Sequence, residues 1–365
     1  MSSNQRSAAN LRDKFFGCIA GVHIGSAMGA PVEGWSYEQI EDEYGLLDRL
    51  LPYHHYTETN AWIREPGTTE DGVERQKLLI NAIIKKGGRV NAEDVRATWI
   101  TDMNPEAPGN ISEPFEGELL AIARTPVPAN EIGKYCDYSG LVSFARSCHP
   151  IGLINAGDIE GAIADALEVG QLYQTANSRG LQWAAVTAMA VAAATKPAAT
   201  VDSVLGAIID RAGRITSRPA GVAEEIGRAL EATAHCTDIR QLRKAFDRIY
   251  SGQGMPYAFA YANEVVTKAI CIFRLAAGDL REAIVAGVNM GRDTDCVTAV
   301  AAGITGALAG ISTVPPDWVE QVDRAAAVNP YTCTKRTLRE HADGLYGAFR
   351  NRLQEMKKYA EVMEY

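Results

Sequence analysis

The sequence predicts an all-helical fold in one compact domain. Near the N-terminus, apolar residues recur at helical spacing at Leu11, Phe15, Ile19 and Val22. Alanine-rich runs at 181–196 and 257–277 combine high helix propensity with few helix breakers. Alternating β-branched runs bounded by turn residues are scarce, so we expect sheet to be minor or absent.

The domain organisation follows from where the helical pattern is interrupted. The breaks fall at Gly87-Gly88, 105–114, 125–128 and Pro315-Pro316. None of these breaks is long or polar enough to be a linker between domains. A chain of 365 residues is therefore predicted to form one domain over 11–358, preceded by a tail at 1–10.

The composition is that of a globular protein and limits the classes of partner. The formal net charge of −9 opposes non-specific binding to nucleic acid or anionic membranes, because such binding needs clustered lysine and arginine. It does not oppose binding of a small phosphate-bearing molecule. The seven cysteines form no CxxC pair. We expect reduced thiols and a cytoplasmic protein.

Two apolar stretches resemble export or membrane segments. The stretch at 15–30 follows basic residues and ends in small ones, as a signal peptide does, but its glycines, His23 and Ser26 argue against export. The stretch at 297–311 is shorter than the ~20 apolar residues that span a bilayer. Glycines at three- and four-residue spacing within it instead predict a central, buried helix.

The segment Gly-Thr-Thr-Glu-Asp-Gly at 67–72 is the first of three acidic motifs. A structural interpretation is available: Thr68 or Thr69 caps a helix, and Glu70 and Asp71 lie in its first turn near the positive end of the helix dipole. The lysines before Gly87 would then close that helix. A role in chemistry stays open beside this interpretation.

The second motif, Asn-Met-Gly-Arg-Asp-Thr-Asp-Cys at 289–296, leads into the predicted buried helix. Thr294 or Asp295 could cap that helix. However, Asp293 and Asp295 at the mouth of an apolar helix are costly unless something neutralises them. A hard divalent cation bound by oxygen ligands would do so.

The third motif is the glycine-rich segment at 21–33, which ends in Gly-Ala-Pro-Val-Glu. Its glycines allow close packing or close approach to a ligand. Pro31 is expected to end the first helix, which leaves Glu33 on a loop at that helix end.

In their order along the chain, the three motifs resemble those of the ADP-ribosylglycohydrolase family, which includes dinitrogenase-reductase-activating glycohydrolases and J-type crystallins. The resemblance implies an all-α domain around a cleft that holds two Mg²⁺ or Mn²⁺ ions and hydrolyses a ribosyl bond. It also implies a set of metal ligands, namely Thr69, Glu70, Asp71, Asp293 and Asp295. Glu33 matches a glutamate near the metals that acts as a base or gate in some members.

The sequence departs from the family pattern at several of these positions. Ser26 stands where an aspartate is usual, and Gly72 follows the acidic pair where a threonine is usual. Cys296 replaces a hydroxyl residue, so one of the two metal positions should be weakened or lost, because a thiol is a poor ligand for Mg²⁺. Arg292, beside Gly291, replaces a second glycine, and both residues are candidates for contact with the substrate. Arg292 is expected to hold a substrate phosphate or carboxylate, or to supply part of the missing metal's charge.

Two further segments are candidates for substrate contact. His149 lies in Ser-Cys-His-Pro-Ile-Gly at 147–152, where the family has a different ligand-binding segment. It is either a ligand contact or a satisfied partner of nearby backbone. Trp62 and the Tyr-His-His-Tyr cluster at 53–56 could stack on a base or sugar, or simply pack.

The resulting functional prediction is a divalent-metal-dependent hydrolase of an N- or O-linked ribosyl bond. Glu33 or Glu70 would take the proton of the attacking water. The substrate would be a small ribosyl compound or an ADP-ribosylated protein. The alternative is a catalytically silent protein that binds ADP-ribose or metal, or has a structural role as the crystallin relatives do. A cysteine-based hydrolase is a third idea, but no cysteine has a histidine partner by spacing.

Overall fold

The computed structural model describes residues 9–55, 62–103, 114–215, 221–250 and 260–364. It is 69% helical and contains no strand among those residues, which confirms the all-α class. Its β structure in the described ranges consists of isolated bridges between Tyr53 and Arg64 and between Leu141 and Tyr261. The helices form one compact domain.

The described part of the chain contains seventeen α-helices. In chain order they are α1 (Leu11–Gly29), α2 (Tyr37–Tyr44), α3 (Asp71–Lys86), α4 (Ala92–Asp102), α5 (Pro114–Ala123), α6 (Ala129–Ile132), α7 (His149–Ile154), α8 (Ile159–Val169), α9 (Arg179–Ala194), α10 (Val201–Ala212), α11 (Val222–Ala232), α12 (Ile239–Ile249), α13 (Ala262–Ala276), α14 (Leu280–Val288), α15 (Thr294–Ala309), α16 (Pro316–Val328) and α17 (Leu338–Met363). Four 3₁₀ turns accompany them at Ala30–Val32, Gly133–Tyr135, Ser143–Arg146 and Gly170–Leu172.

Helices α1 and α15 form the centre of the fold and run antiparallel in close contact. A Cβ at Gly17 would lie 2.5 Å from the backbone of Gly310, and a Cβ at Gly21 would lie 2.6 Å from that of Ala302. These glycines allow the two backbones to approach more closely than larger residues would permit. The predicted central, buried helix is confirmed as α15.

The remaining helices surround this pair. Helices α13 and α14 pack on α15, while α14, α16 and α17 pack on α1. Helix α9 joins α7 and α8 to the same core through its contact with α15. The stretch Leu11–Val32 is long and apolar enough to cross a membrane. However, 94% of its most apolar window is buried inside the fold, as the core helix of a soluble protein would be.

The starts of α3 and α15 differ from the sequence interpretation. Helix α3 begins at Asp71 with Glu70 in the N-cap position, so the expected threonine cap is wrong. Thr68 instead donates its hydroxyl to the carbonyl of Glu65 at 2.7 Å. Helix α15 begins at Thr294 with Asp293 in the N-cap position. Neither N-cap side chain bonds to its own helix, so both carboxylates are available to other groups.

Candidate functional site

The end of α1 brings the three acidic motifs to one place. Gly29 lies so close to the start of α15 that a Cβ there would meet the backbone of Asp295 at 2.6 Å. The Thr294 hydroxyl donates to the Gly29 carbonyl at 2.8 Å. On the other side of α1, the Ser26 hydroxyl accepts a bond from the Glu70 backbone N–H at 3.4 Å. Segments distant in the chain therefore meet around the end of α1.

Asp293 and Asp295 are almost completely buried, with 1% and 2% of their surfaces exposed. Neither carboxylate oxygen of Asp293, nor Oδ1 of Asp295, has a hydrogen-bond partner among the described residues. Burial, Asp295 and Glu33 raise the pKa of Asp293 well above its usual value. Buried carboxylate oxygens without donors are the ligand type that a hard divalent cation requires, so these two residues fit such an ion.

Glu33 follows the 3₁₀ turn at the end of α1, as expected from Pro31. Burial, together with the nearby charge of Asp295, raises the pKa of Glu33 to about 8. Its Oε2 lies 3.8 Å from Nε2 of His55. Ligand atoms of Glu33, His55 and Glu70 lie within 4.8 Å of one another, as do those of Asp293, Asp295 and Cys296.

Glu70 is held by three neighbouring side chains. Arg64 Nη1 lies 2.5 Å from its Oε1, to which the Tyr53 hydroxyl also donates, and His55 Nε2 lies 3.2 Å from its Oε2. Burial alone would raise the pKa of Glu70, but Arg64, His55 and Tyr53 outweigh it and lower the pKa to about 2. The paired backbone bonds between Tyr53 and Arg64 place both side chains on this carboxylate.

Asp71 is engaged by two arginines. Arg75, one turn along α3, lies 3.1 Å from Asp71 Oδ2, and Arg146 Nη2 donates to the same oxygen. The other guanidinium nitrogen of Arg146, Nη1, lies 3.6 Å from Asp295 Oδ2 and 3.0 Å from Cys296 Sγ. Arg146 therefore connects the acidic motif at the start of α3 with the one at the start of α15.

Two further predicted site residues have other contacts in the structure. The hydroxyl of Thr69, two residues before α3, lies 3.5 Å from Nζ of Lys77 in that helix. Trp62 packs edge-on against Tyr331 at 5.0 Å, and the Arg64 guanidinium lies 5.3 Å from its ring. Trp62 thus adjoins the group around Glu70. Tyr56 of the aromatic cluster lies outside the described residues.

Arg292 does not supply its charge to the acidic site. Its guanidinium forms a bidentate pair with Glu264, with Nε–Oε1 and Nη2–Oε2 distances of 2.6 and 3.0 Å. This pairing does not support the expectation that Arg292 replaces part of a metal's charge, because its guanidinium is directed to Glu264. Gly291 lies against the backbone of Tyr37 and adopts a positive φ of 76°.

A substrate-binding role for Arg292 stays a prediction. Its side chain is 34% exposed and lines a cavity of about 160 Å³. Lys268, which shares Glu264 with Arg292, lines the same cavity. The other lining residues include Tyr37, Arg243 and Tyr250.

His149 lies in the core, away from solvent. It is fully buried, and its Nδ1 lies 3.3 Å from Nε2 of Gln76, whose Oε1 is 3.2 Å from Nε2 of His23. Its ring also fills the space above Gly303, where a Cβ would lie 2.4 Å away. Burial lowers the pKa of His149 to about 3. This placement favours a core histidine over a ligand contact, with Nδ1 bonded to Gln76 and Nε2 without a partner among the described residues.

The sequence alone did not indicate a role for Arg64 or Arg146, which pair with carboxylates of the site. Arg146 directly precedes the segment 147–152, and no motif or spacing in the sequence marks it. Arg64 lies six residues before Glu70, which is not a motif spacing. Ser26 stands where an aspartate is usual in the family. In this structure its hydroxyl accepts a hydrogen bond from the backbone N–H of Glu70.

Comparison with known proteins agrees with this architecture. The family model described as ADP-ribosylglycohydrolase matches residues 7–355. The chain is 26% identical over 321 residues to "Uncharacterized protein YegU" of Escherichia coli (strain K12), with 85% of this chain and 92% of the relative covered. It is 25% identical over 316 residues to an uncharacterized protein of Archaeoglobus fulgidus, with the same two coverages.

A solved structure shares the fold. It is titled "ADP-ribosylglycohydrolase-related protein complex" and aligns with a TM-score of 0.55 at 18% identity. The alignment covers 93% of this chain and 98% of that one. With the family match over nearly its whole length, the chain belongs to the ADP-ribosylglycohydrolase family.

Proposed function

We propose that this protein is a divalent-metal-dependent hydrolase that cleaves an N- or O-linked ribosyl bond. The observation that carries the proposal is the buried carboxylate of Asp293, which forms no salt bridge among the described residues and faces the charges of Asp295 and Glu33, with the thiol of Cys296 nearby. Buried polar groups in folded proteins normally have a partner, so a buried carboxylate of this kind indicates a ligand that neutralises its charge. Membership of the ADP-ribosylglycohydrolase family supports the reaction class.

The acidic residues of the site have separate roles in this proposal. Asp293 and Asp295 would hold the cation, which when bound polarises a ribose hydroxyl and orients water. Glu33 is better suited than Glu70 to take a proton from that water, because both oxygens of Glu70 are already engaged by neighbouring side chains. Glu70 then orients His55 and Arg64.

The cavity beside this site suggests the substrate class. Lys268 and Arg292 line this cavity together with Arg243, Glu38 and Asp247, so its wall carries charges of both signs. We propose that Arg292, whose side chain is 34% exposed, contacts a phosphate of an ADP-ribosyl group or of a related small ribosyl compound. The ADP-ribosyl group would be free or attached to a protein.

The test is turnover by purified variants with Mg²⁺ against ADP-ribosyl-arginine, ADP-ribosyl-serine and free nucleosides. Asp293→Ala should abolish turnover of the substrate that the wild-type protein hydrolyses, and Asp71→Ala, which removes the carboxylate that pairs with Arg146, should lower it. Asp202→Asn, which changes an exposed acid in the first turn of α10, is the matched control and should be fully active. Undiminished turnover in both site variants would exclude the mechanism.

One observation favours a second candidate, a protein that binds ADP-ribose without hydrolysing it. Glu70 and Asp71, two of the ligands that the family resemblance implies, are occupied by basic side chains of the protein itself. Calorimetry with ADP-ribose, in Mg²⁺ and in chelator, separates the candidates. Binding with no turnover of any tested substrate would favour the silent protein.

A further inference from the structure

The space between the two acidic motifs contains a positive charge that belongs to the protein. The guanidinium of Arg146 contacts Asp71 Oδ2 through one nitrogen and lies near Asp295 Oδ2 and Cys296 Sγ through the other. Its side chain is only 7% exposed. A buried group with this charge, between carboxylates from two helix starts, has the surroundings of a bound cation.

Gly72 makes room for this guanidinium. A Cβ at position 72 would lie 2.7 Å from both Cδ and Nε of Arg146. Such a distance is far below van der Waals contact, so a larger residue at position 72 and the present position of Arg146 exclude each other. Cys296, on the opposite side, offers a thiol that is a poor ligand for a hard cation. Both neighbours therefore suit an arginine better than a divalent ion.

The segment that carries Arg146 is firmly held. Arg146 ends the 3₁₀ turn Ser143–Arg146, whose Phe144 is fully buried and stacks on Tyr173 at 4.8 Å. The residues just before the turn pair with the start of α13 through the bridge between Leu141 and Tyr261. The guanidinium is thus positioned by packing on both sides.

The partners of the acidic groups are unevenly distributed over the site. Five carboxyl groups take part, namely Glu33, Glu70, Asp71, Asp293 and Asp295. Three guanidinium groups, those of Arg64, Arg75 and Arg146, pair with Glu70 and Asp71, and that of Arg146 also lies 3.6 Å from Asp295. Both oxygens of Asp293 and Oδ1 of Asp295 have no hydrogen-bond partner among the described residues, so a divalent ion fits next to Asp293 and not next to Asp71.

We propose that Arg146 takes the place of one divalent ion between Asp71 and Asp295, so that the site binds a single ion, next to Asp293. Removing Arg146 should open a second binding position. This inference adds detail to the proposed function. It rests on that function only in assuming that the wild-type protein binds one divalent ion.

The test counts bound Mn²⁺ by electron paramagnetic resonance and calorimetry in the full chain, without any assay of activity. The wild-type protein should bind one ion. The double variant Arg146→Ala/Cys296→Ser, which removes the guanidinium and restores a hydroxyl, should bind one ion more. Arg146→Lys keeps the charge and is the matched control, with the wild-type number expected.

The outcomes separate this inference from the proposed function. Two ions in the wild-type protein, or equal numbers in the wild type and the double variant, would overturn the role of Arg146. No ion in the wild type and one in the double variant would support the replacement by Arg146 while contradicting a metal-dependent wild-type enzyme.

A second measurement serves if the double variant does not fold. Gly72→Ala should lower the melting temperature by several degrees in the wild type, because the new methyl group meets Arg146. The same substitution should be neutral or stabilising in an Arg146→Ala background, because alanine favours the helix once the guanidinium is gone. Equal losses in both backgrounds would show that Arg146 does not fill this space.

Discussion

Gly306 of α15 lies directly against Gly17 of α1, where a Cβ at position 306 would be 2.0 Å from the Gly17 carbonyl oxygen. At this contact the backbones of the two central helices lie against each other, with no side chain between them. At the other end of the same helix pair, Gly29 meets the backbone of Asp295. The position of the acidic site relative to the end of α1 therefore depends on small residues along the whole interface.

Gly306→Ala should destabilise the protein by about 1–3 kcal/mol, because the added methyl group must push α1 away. Gly347→Ala is the matched control, since Gly347 is an exposed glycine within α17 with nothing within 4 Å of the added atom. It should stabilise the protein by about 0.5–1 kcal/mol. Urea denaturation measures both. A neutral or stabilising Gly306→Ala would contradict the close contact.

Asp293→Asn should raise stability in chelator by about 1–3 kcal/mol, because a buried carboxylate without a donor becomes a neutral amide of the same shape. Turnover should be lost. Asp165, which is also buried but bonds to Arg89 and Asn155 at 2.8 and 2.7 Å, provides the contrast. Asp165→Asn should destabilise the protein. A loss of stability in both variants would indicate that Asp293 is already compensated without a cation.

Glu264→Gln should cost about 3–5 kcal/mol of folding free energy, because it leaves the buried ammonium of Lys268 without its ion-pair partner. Glu361→Gln removes the acid of the exposed pair with Lys357, whose side chains are 61% and 79% exposed. This control should show no measurable change. Chemical denaturation of the two variants at one salt concentration compares them directly.

Arg292 adopts a left-handed backbone conformation with φ of 68°. Replacing it by glycine or alanine removes the same ion pair with Glu264, but only alanine keeps the strain of that conformation. Arg292→Gly should therefore be more stable than Arg292→Ala by about 1 kcal/mol. Equal midpoints and slopes in urea would contradict the assigned conformation.

His341 should make the protein sensitive to acid. Burial, with Lys77 and Arg336 nearby, lowers its pKa to about 3, whereas the unfolded chain has a histidine pKa near 6.5. Below pH 6.5 this histidine is protonated in the unfolded state but stays neutral in the folded state. The free energy of unfolding therefore falls as the pH drops towards 3. The contribution is about 1.4 kcal/mol per pH unit.

His341→Leu removes this titration without breaking a hydrogen bond, since neither ring nitrogen has a partner among the described residues. Unfolding free energies at pH 8, 6 and 5 should fall less steeply in the variant than in the wild type. Identical slopes would show that His341 does not titrate in this way.

The sequence by itself determined the fold class, the buried helix α15 and the identity of the acidic motifs. Helical periodicity, alanine content and glycine spacing are local properties, so they can be read without knowing which helices touch. The order of the motifs along the chain indicated the family, which the match over residues 7–355 confirmed. The ligand roles of Thr69, Glu70, Asp71, Asp293 and Asp295 stay predictions.

The tertiary structure alone decided which charges meet. Arg292 pairs with Glu264 and His149 lies in the core beside Gln76, although the sequence allowed a site role for both. Arg146 reaches Asp71 and Asp295 from a separate turn, through a space that Gly72 leaves open. Salt bridges require their charged atoms within about 4 Å, and helix packing sets those distances between residues far apart in the chain.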